Sequence, residues 1–305
     1  MNRFTSAIAT ALLIAGCTFA SAQSINDEVA ATATTTTYTF TEVNFPGDEF
    51  TQLLGINNKG VIAGYHGSGL DAQHPNKGFT YTLGGAFTAQ NYPSSVQTQV
   101  IGINDNGNTA GFYIDATNRT HGFYQVSGQF RPTDFPGTTF NQSLSYNNNS
   151  QAASYWQDSA GNFHPFIYNR STPFVSILIP GAVSAQSTGI NNLGAVSGFY
   201  IDAQNVNHGF LFQNGSFIRL NYPESTFTQA LGVNDLGEVV GTYMDASANT
   251  HGFTWSATAG FHSVDDPNGI GTTIVNGVNN AGTLVGFWGN TAAGISHGFV
   301  ATPQP

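Results

Sequence analysis

Aromatic and acidic side chains recur together at nearly equal intervals along this 305-residue chain. The set consists of Tyr113 with Asp115, Trp156 with Asp158, Tyr200 with Asp202, Tyr243 with Asp245, and Trp288. Aromatic rings beside carboxylates can stack on sugar rings and hydrogen-bond to their hydroxyl groups, so these nine residues are candidate ligand-binding residues. The pattern leaves an alternative open, in which each aspartate caps its own turn and the rings fill space between repeats.

A glutamine recurs three residues before each of five Gly-Ile-Asn-like segments, at Gln52, Gln99, Gln142, Gln186 and Gln229. The sixth segment has Ile274 at this position. If these segments lie innermost in the fold, the amides line a channel and can bind water, an ion or a hydroxylated ligand. They can equally hydrogen-bond between neighbouring repeats, because a buried amide without partners costs about 1–3 kcal/mol.

Histidines begin five triplets of the type His-Gly-Phe, at His121, His164, His208, His251 and His297. One histidine per repeat forms a metal site only if all of them face a common axis, and we expect them to hold blade-internal polar groups instead. We therefore predict no metal site and no cofactor. No nucleophile motif and no isolated pair of carboxylates stands out, which argues against an enzyme without excluding one.

The spacing of other residues indicates the elements that position these side chains. Phenylalanine is followed six residues later by proline six times, and a Gly-Ile-Asn-like segment comes nine or ten residues after each proline. Each repeat of about 44 residues holds four strand-like segments joined by Asn- and Gly-rich turns. The pattern predicts an all-β fold, a six-bladed β-propeller of four-stranded blades, with repeats starting near 47, 94, 137, 181, 224 and 268.

The two ends of the repeat region are out of phase. The last repeat stops after His297-Gly298-Phe299 without a fourth strand, while Tyr38–Pro46 is a fourth-strand motif with no repeat before it. A ring closes if the N-terminal strand pairs into the last blade, and closure removes the exposed sheet edges that an open array would have. We therefore expect residues 38–305 to form a closed propeller.

The N-terminal residues have the pattern of an export signal. Residues 1–22 combine Arg3, a short apolar run and an Ala-Ser-Ala cleavage site, and residues 23–37 form a Thr- and Ala-rich segment that we expect to be a disordered linker. The sequence predicts a secreted or extracytoplasmic protein with no membrane span. Cys17 ends a lipobox-like segment, so lipidation of Cys17 and anchoring at the cell envelope is the alternative.

Charged residues make up 8% of the chain and its formal net charge is −10. No basic stripe is present to neutralise phosphates, which argues against nucleic acid as a partner.

The His-Gly-Phe triplets, the Gly-Ile-Asn segments and the closing prolines together resemble the bacterial extracellular HAF-repeat family over about residues 38–300. The resemblance implies tandem repeats and export, but no established activity and no catalytic residues. We expect a monomeric binding or scaffold module for an extracellular glycan or protein, acting through the face that carries the aromatic and aspartate residues. The alternatives are a polysaccharide hydrolase or lyase using carboxylates on that face, and a structural surface protein without a specific ligand.

Overall fold

A computed structural model describes residues 36–304 of the chain. The expected signal peptide, Cys17 and almost all of the expected linker lie outside the described residues. The described chain forms six four-stranded antiparallel sheets arranged in a ring, so the prediction of a six-bladed β-propeller is confirmed.

Within each blade the strands follow one another from the axis outward. Blades one to three comprise β2 (Thr51–Ile56), β3 (Val61–His66), β4 (Lys77–Thr82) and β5 (Thr88–Ala89); β6 (Gln97–Ile103), β7 (Thr109–Ile114), β8 (Thr120–Val126) and β9 (Gln129–Pro132); and β10 (Asn141–Tyr146), β11 (Gln151–Gln157), β12 (Phe163–Asn169) and β13 (Val175–Ser176).

Blades four to six comprise β14 (Ala182–Ile190), β15 (Val196–Asp202), β16 (Asn207–Gln213) and β17 (Ser216–Leu220); β18 (Thr228–Val233), β19 (Val239–Met244), β20 (Thr250–Ser256) and β21 (Gly260–Val264); and β22 (Ile274–Val278), β23 (Leu284–Trp288) and β24 (His297–Pro303), completed by β1 (Tyr38–Val43). A short 3-10 helix, Thr291–Ala293, lies between β23 and β24. In the described part of the chain no helix is long and apolar enough to cross a membrane.

The N-terminal strand β1 closes the ring. It pairs antiparallel with β24 in a register that runs from Tyr38 opposite Pro303 to Val43 opposite Gly298. Val43 is buried, and the ring of Phe40 packs against that of Phe299 with centroids 5.4 Å apart. The sixth blade is thus assembled from both ends of the described chain, as the phase of the repeats predicts.

The core repeats with the sequence. The phenylalanine of each His-Gly-Phe-like triplet is completely buried between blades, at Phe79, Phe123, Phe166, Phe210, Phe253 and Phe299. Near the axis, glycine allows neighbouring inner strands to approach closely. A Cβ atom on Gly55 would lie 2.5 Å from the Ile101 carbonyl oxygen, and one on Gly102 would lie 2.5 Å from the Cα of Ser145. The Gly of the Gly-Ile-Asn segment is therefore a packing requirement.

A cycle of asparagines joins the blades around the axis. The turn between the first and second strand of each blade begins with one of them: Asn57, Asn104, Asn147, Asn191, Asn234 or Asn279. Each side-chain Nδ2 donates to the backbone carbonyl of the equivalent asparagine in the next blade, at 2.9–3.3 Å. Because the sixth donor returns to the first blade, the hydrogen bonds form a closed ring that links every blade to two others.

The propeller has two different faces. We call the end that carries these asparagine turns and the hairpins between third and fourth strands the turn face. The opposite end, the loop face, carries the connections from second to third strands and from one blade to the next.

Candidate functional site

The aspartates predicted as ligand contacts lie on the loop face, where each one closes its own loop. Asp202 shows the arrangement. One of its carboxylate oxygens accepts the backbone N–H groups of Gln204 and Val206, both at 2.9 Å, and the other lies 2.9 Å from His208 Nε2. Asp115, Asp158 and Asp245 make the equivalent bonds, with His121, His164 and His251. The four carboxylates are therefore engaged within their own blades.

The pKa values of these aspartates follow from the bonds. The His164 hydrogen bond lowers the pKa of Asp158 to about 2, assisted by the backbone N–H of Asn162. Bonds from Asn249 lower the pKa of Asp245 to about 2. Burial lowers the pKa of His251, but its bonds to Asp265 and Asp245 outweigh burial and the pKa is raised overall. At neutral pH these aspartates are charged, fixed acceptors.

The predicted aromatic residues are stacked between other groups. Tyr113 lies between Tyr92 and His121, with ring centroids 3.7 and 4.9 Å away. Tyr243 lies between Tyr222 and His251, and Trp156 between Phe135 and His164. Stacking of a sugar needs a free ring face. These rings offer a ligand only their edges.

The two remaining aromatic candidates are covered in other ways. Tyr200 has no exposed surface, and the guanidinium of Arg219 lies 5.9 Å from its ring centroid. Trp288 stacks on His297 at 4.2 Å, and the backbone of Gly269 lies so close that a Cβ there would be 2.3 Å from the Trp288 Cβ. The histidines thus hold both the aspartates and the rings. The signal for this role is the spacing of six residues from aspartate to histidine in four blades.

A cavity of about 140 Å³ lies on the propeller axis. Its wall includes the exposed residues Asn58 and Asn280, so it opens at the turn face. On the side of blades one to three the wall includes Leu54, Ile101 and Leu144, which belong to one buried cluster. On the opposite side, amide side chains line the cavity together with apolar residues such as Leu231.

Three of the five predicted channel glutamines are held away from this cavity. The carbonyl oxygens of Gln52 and Gln142 accept the hydroxyl groups of Tyr65 and Tyr155, which lie directly opposite on the second strand. Gln99 Nε2 donates to Asn76 Oδ1 at 2.7 Å. All three glutamines are fully buried, and none lines the cavity.

Gln186 and Gln229 do line the cavity, and neither is held by a hydroxyl of its cross-strand neighbour. Phe199 lies opposite Gln186, and Thr242 lies opposite Gln229 but donates its hydroxyl to the His251 carbonyl. Within residues 36–304 the side chain of Gln186 forms no hydrogen bond and its polar atoms stay accessible from the cavity, whereas Gln229 Nε2 is buried without a partner.

The sixth blade supplies a third amide from a position that the sequence pattern did not single out. Asn276 lies two residues after Ile274, which replaces the glutamine there, and both line the cavity. Asn276 is 8% exposed, and its Nδ2 has no partner among the described residues. Consecutive blades four, five and six therefore each contribute one amide that the fold leaves unpaired.

The amide groups can present either a donor or an acceptor to the cavity. A half-turn about the last side-chain bond exchanges the positions of the oxygen and the nitrogen, and the broad torsional preference of that bond makes both orientations accessible. Thr188, Phe199, Leu231 and Ile274 also line this side of the wall. The result is a compact cavity with one apolar side and one mixed side, on which three amides lack hydrogen bonds to the described residues.

The mouth of the cavity is a second cyclic network on the turn face. It comprises Asn58, Asp105, Asn148, Asn192, Asp235 and Asn280, and the backbone N–H of each donates to the side-chain oxygen of the next at 2.8–3.0 Å. The two aspartates belong to blades two and five, which are opposite members of a six-membered ring. They are the acidic residues of the cavity lining.

No known protein-family model matches the sequence, and no curated protein is similar to it in sequence. Solved structures are similar in fold. The chain resembles the SapL1 lectin in complex with alpha-methyl fucoside, with a TM-score of 0.52 and 12% identity over 79% of this chain and 88% of the lectin. It also resembles an arginine-to-alanine mutant of AofleA from Arthrobotrys oligospora, with a TM-score of 0.50 and 9% identity over 83% of each chain.

A third similar structure is the gluconolactonase XC5397 from Xanthomonas campestris, with a TM-score of 0.50 and 9% identity over 84% of this chain and 88% of the enzyme. At 9–12% identity these similarities show the propeller fold and nothing about individual residues.

Proposed function

We propose that this protein is an extracellular carbohydrate-binding module, acting as a monomer, that takes one sugar unit of a glycan into the central cavity. The observation that carries the proposal is the set of unpaired amides of Gln186, Gln229 and Asn276, facing an apolar wall. A sugar hydroxyl both donates and accepts hydrogen bonds, and so does a carboxamide. The apolar wall suits the C–H face of the same sugar ring.

The size of the cavity supports a single ring as the ligand. A cavity of about 150 Å³ holds a molecule the size of benzene, and a hexose has about twice as many non-hydrogen atoms. The cavity of about 140 Å³ can therefore take up part of one sugar ring, and its open mouth lets the rest of the ring and of the glycan extend to solvent. An unpaired buried amide costs about 1–3 kcal/mol, and a ligand that pairs the buried nitrogens of Gln229 and Asn276 recovers part of that cost.

The fold similarity to a lectin that was determined with alpha-methyl fucoside supports the same class of ligand. Similarity to a gluconolactonase shows that the fold also serves an enzyme of sugar metabolism. For this chain the binding function has the stronger support. A glycoside hydrolase needs a pair of carboxyl groups, one of them with a raised pKa as general acid. Burial raises the pKa of Asp266 on the loop face, but hydrogen bonds lower the pKa values of the predicted contacts Asp158 and Asp245.

The loop face, expected from the sequence to hold the ligand, has its carboxylates and ring faces occupied by intramolecular contacts. We therefore assign ligand contact to the cavity and blade stabilisation to the residues Tyr113, Asp115, Trp156, Asp158, Tyr200, Asp202, Tyr243, Asp245 and Trp288. A structural surface protein without a ligand is the remaining alternative, and the next experiment separates it from a binding module.

The test is a glycan array with the purified protein, followed by calorimetry with the best monosaccharide. The double variant Gln186→Ala, Gln229→Ala should weaken binding at least about 30-fold, since two hydrogen bonds of about 1 kcal/mol each are lost. The matched control is Gln204→Ala, which removes an exposed amide from the loop face and should bind normally. Absence of binding by the unmodified protein, or equal binding by the double variant, would contradict the proposal.

A further inference from the structure

The acidic positions of the mouth network bear on which sugars can enter. Asp105 Oδ1 accepts the Asn58 backbone N–H at 2.8 Å, and Oδ2 accepts the side chains of Asn148 and Asn58 at 2.9 and 3.1 Å. Asp235 is held in the same way by Asn192 and Asn280. A carboxylate has about four acceptor positions, so each aspartate keeps one free for a ligand.

Both carboxylates are fixed at the rim by neutral amides. Burial raises the pKa of Asp105, but the bonds from Asn148 and Asn58 lower it overall, so the group is charged at neutral pH. Other charged residues also lie on the turn face. Lys59 is exposed on the first-blade turn, and Arg170 is exposed on the connection between β12 and β13. Glu238 follows the fifth-blade turn, is half-buried and has a pKa raised by burial. Among the residues that line the cavity, however, Asp105 and Asp235 are the charged ones.

A cavity with unpaired amides on its wall and carboxylates at its rim selects its ligands by their charge. We infer that Asp105 and Asp235 form a charge filter that admits neutral and cationic sugars, such as hexoses and amino sugars, and rejects uronic and other acidic sugars. This inference rests on the proposed carbohydrate function of the cavity. That the cavity behind the rim takes a polar ligand is supported by Gln186, which is more than nine-tenths buried, lines the cavity and has no hydrogen-bond partner among the described residues.

The repeat itself provides conservative variants. Asparagine occupies the equivalent position in the other four blades, where its Oδ1 accepts the same backbone bond. Asp105→Asn and Asp235→Asn thus keep an Oδ1 acceptor for the backbone bond and remove both charges, but they lose the Oδ2 acceptor of the flanking asparagine amides. The control is Glu49→Gln with Glu224→Gln, which changes the net charge equally but on exposed positions of the loop face.

The experiment measures calorimetric affinities for two series, glucose with glucosamine and glucuronate, and galactose with galactosamine and galacturonate. With the unmodified protein in low salt, we expect the amino sugar to bind at least as tightly as the neutral sugar and the uronate about tenfold more weakly, a difference that should shrink in high salt. In the double variant the neutral sugar should keep its affinity and the uronate should approach it. Each single variant should give an intermediate ratio.

The outcomes distinguish failure of the charge filter from failure of carbohydrate binding. Equal affinities for neutral and acidic sugars in the unmodified protein, or an unchanged ratio in the Asp105→Asn, Asp235→Asn variant, overturn the charge filter and leave carbohydrate binding intact. Loss of discrimination in the loop-face control also overturns it, because net charge would then be the cause. Absence of binding for every sugar overturns the proposed function and this inference together.

Discussion

The loop face and the wall of the central cavity both repeat polar side chains from blade to blade, but they differ in where the hydrogen bonds go. On the loop face, an aspartate such as Asp202 meets two backbone N–H groups and a histidine of its own blade. In the cavity, the side chain of Gln186 forms no hydrogen bond with a described residue, although the equivalent Gln52 and Gln142 each accept one from a tyrosine. Repeated groups that find partners stabilise the fold, whereas a repeated group that loses its partner becomes available to a ligand.

The largest expected effect tests the closed ring on which both regions depend. Deleting residues 36–46 removes β1 and uncovers β24 and Phe299, which should lower the free energy of unfolding by more than about 5 kcal/mol. Deleting residues 23–35 alone should have little effect. Thermal melts of the two truncated proteins provide the measurement, and equal melting temperatures would contradict ring closure by β1.

The next effect tests the stabilising role of the loop face. Asp202→Ala leaves two backbone N–H groups and His208 without their acceptor, and we expect a loss of about 2 kcal/mol in stability with sugar affinity unchanged. Asp71→Ala is the matched control, since Asp71 makes similar bonds to Gln73 and His74 in an exposed loop and should matter less. Denaturant unfolding and calorimetry measure the two properties. A large loss of sugar affinity in Asp202→Ala would show that the ligand binds at the loop face and not in the cavity.

The third prediction supplies the missing partner in the cavity. Phe199→Tyr places a hydroxyl opposite Gln186, as Tyr65 and Tyr155 do for Gln52 and Gln142. Stability should rise by about 1 kcal/mol while sugar affinity falls about tenfold.

Phe287→Tyr is the control for that substitution, because it adds the same hydroxyl opposite Ile274 and should lower stability without affecting binding through Gln186. If Phe199→Tyr binds sugar normally, Gln186 is not a ligand contact.

The smallest expected effect is the pH dependence of the loop face. The raised pKa of His251 contributes stability that is fully present below the unfolded value of about 6.5 and is lost as pH rises through the folded pKa. The lowered pKa of Asp245 contributes stability present above about 4 and lost as pH falls toward 2. Melting temperatures of the native protein and His251→Gln should therefore differ most near pH 5 and converge above pH 7. A difference that grows with pH would contradict this assignment.

The architecture could be predicted from the sequence because every blade repeats the same spacing of phenylalanine, proline and asparagine. The position of Tyr38–Pro46 relative to that spacing also predicted closure. Periodicity of this kind predicts the path of the backbone and the positions of the buried phenylalanines, because both are the same in every blade.

Which glutamines are free could not be read from their own positions, because the partner lies across the strand pair. Tyr65 and Tyr155 follow Gln52 and Gln142 by thirteen residues, and Phe199 follows Gln186 by the same interval. The antiparallel register of the first two strands sets that interval. The tyrosines that pair with Gln52 and Gln142 are therefore visible in the sequence, but only the strand register shows that they lie opposite the glutamines. Asn276 was missed because it occupies a position that is apolar in most other blades.

The two ends of the described chain meet at one point. Gln304 N donates to the Thr37 carbonyl at 2.8 Å, and Gly282 of the sixth-blade turn lies against Pro303. Whatever is joined before residue 36 or after residue 304 is therefore attached beside the turn face, at its outer edge. Both ends of the described chain therefore lie on the same side of the propeller as the cavity mouth, and the loop face lies on the opposite side.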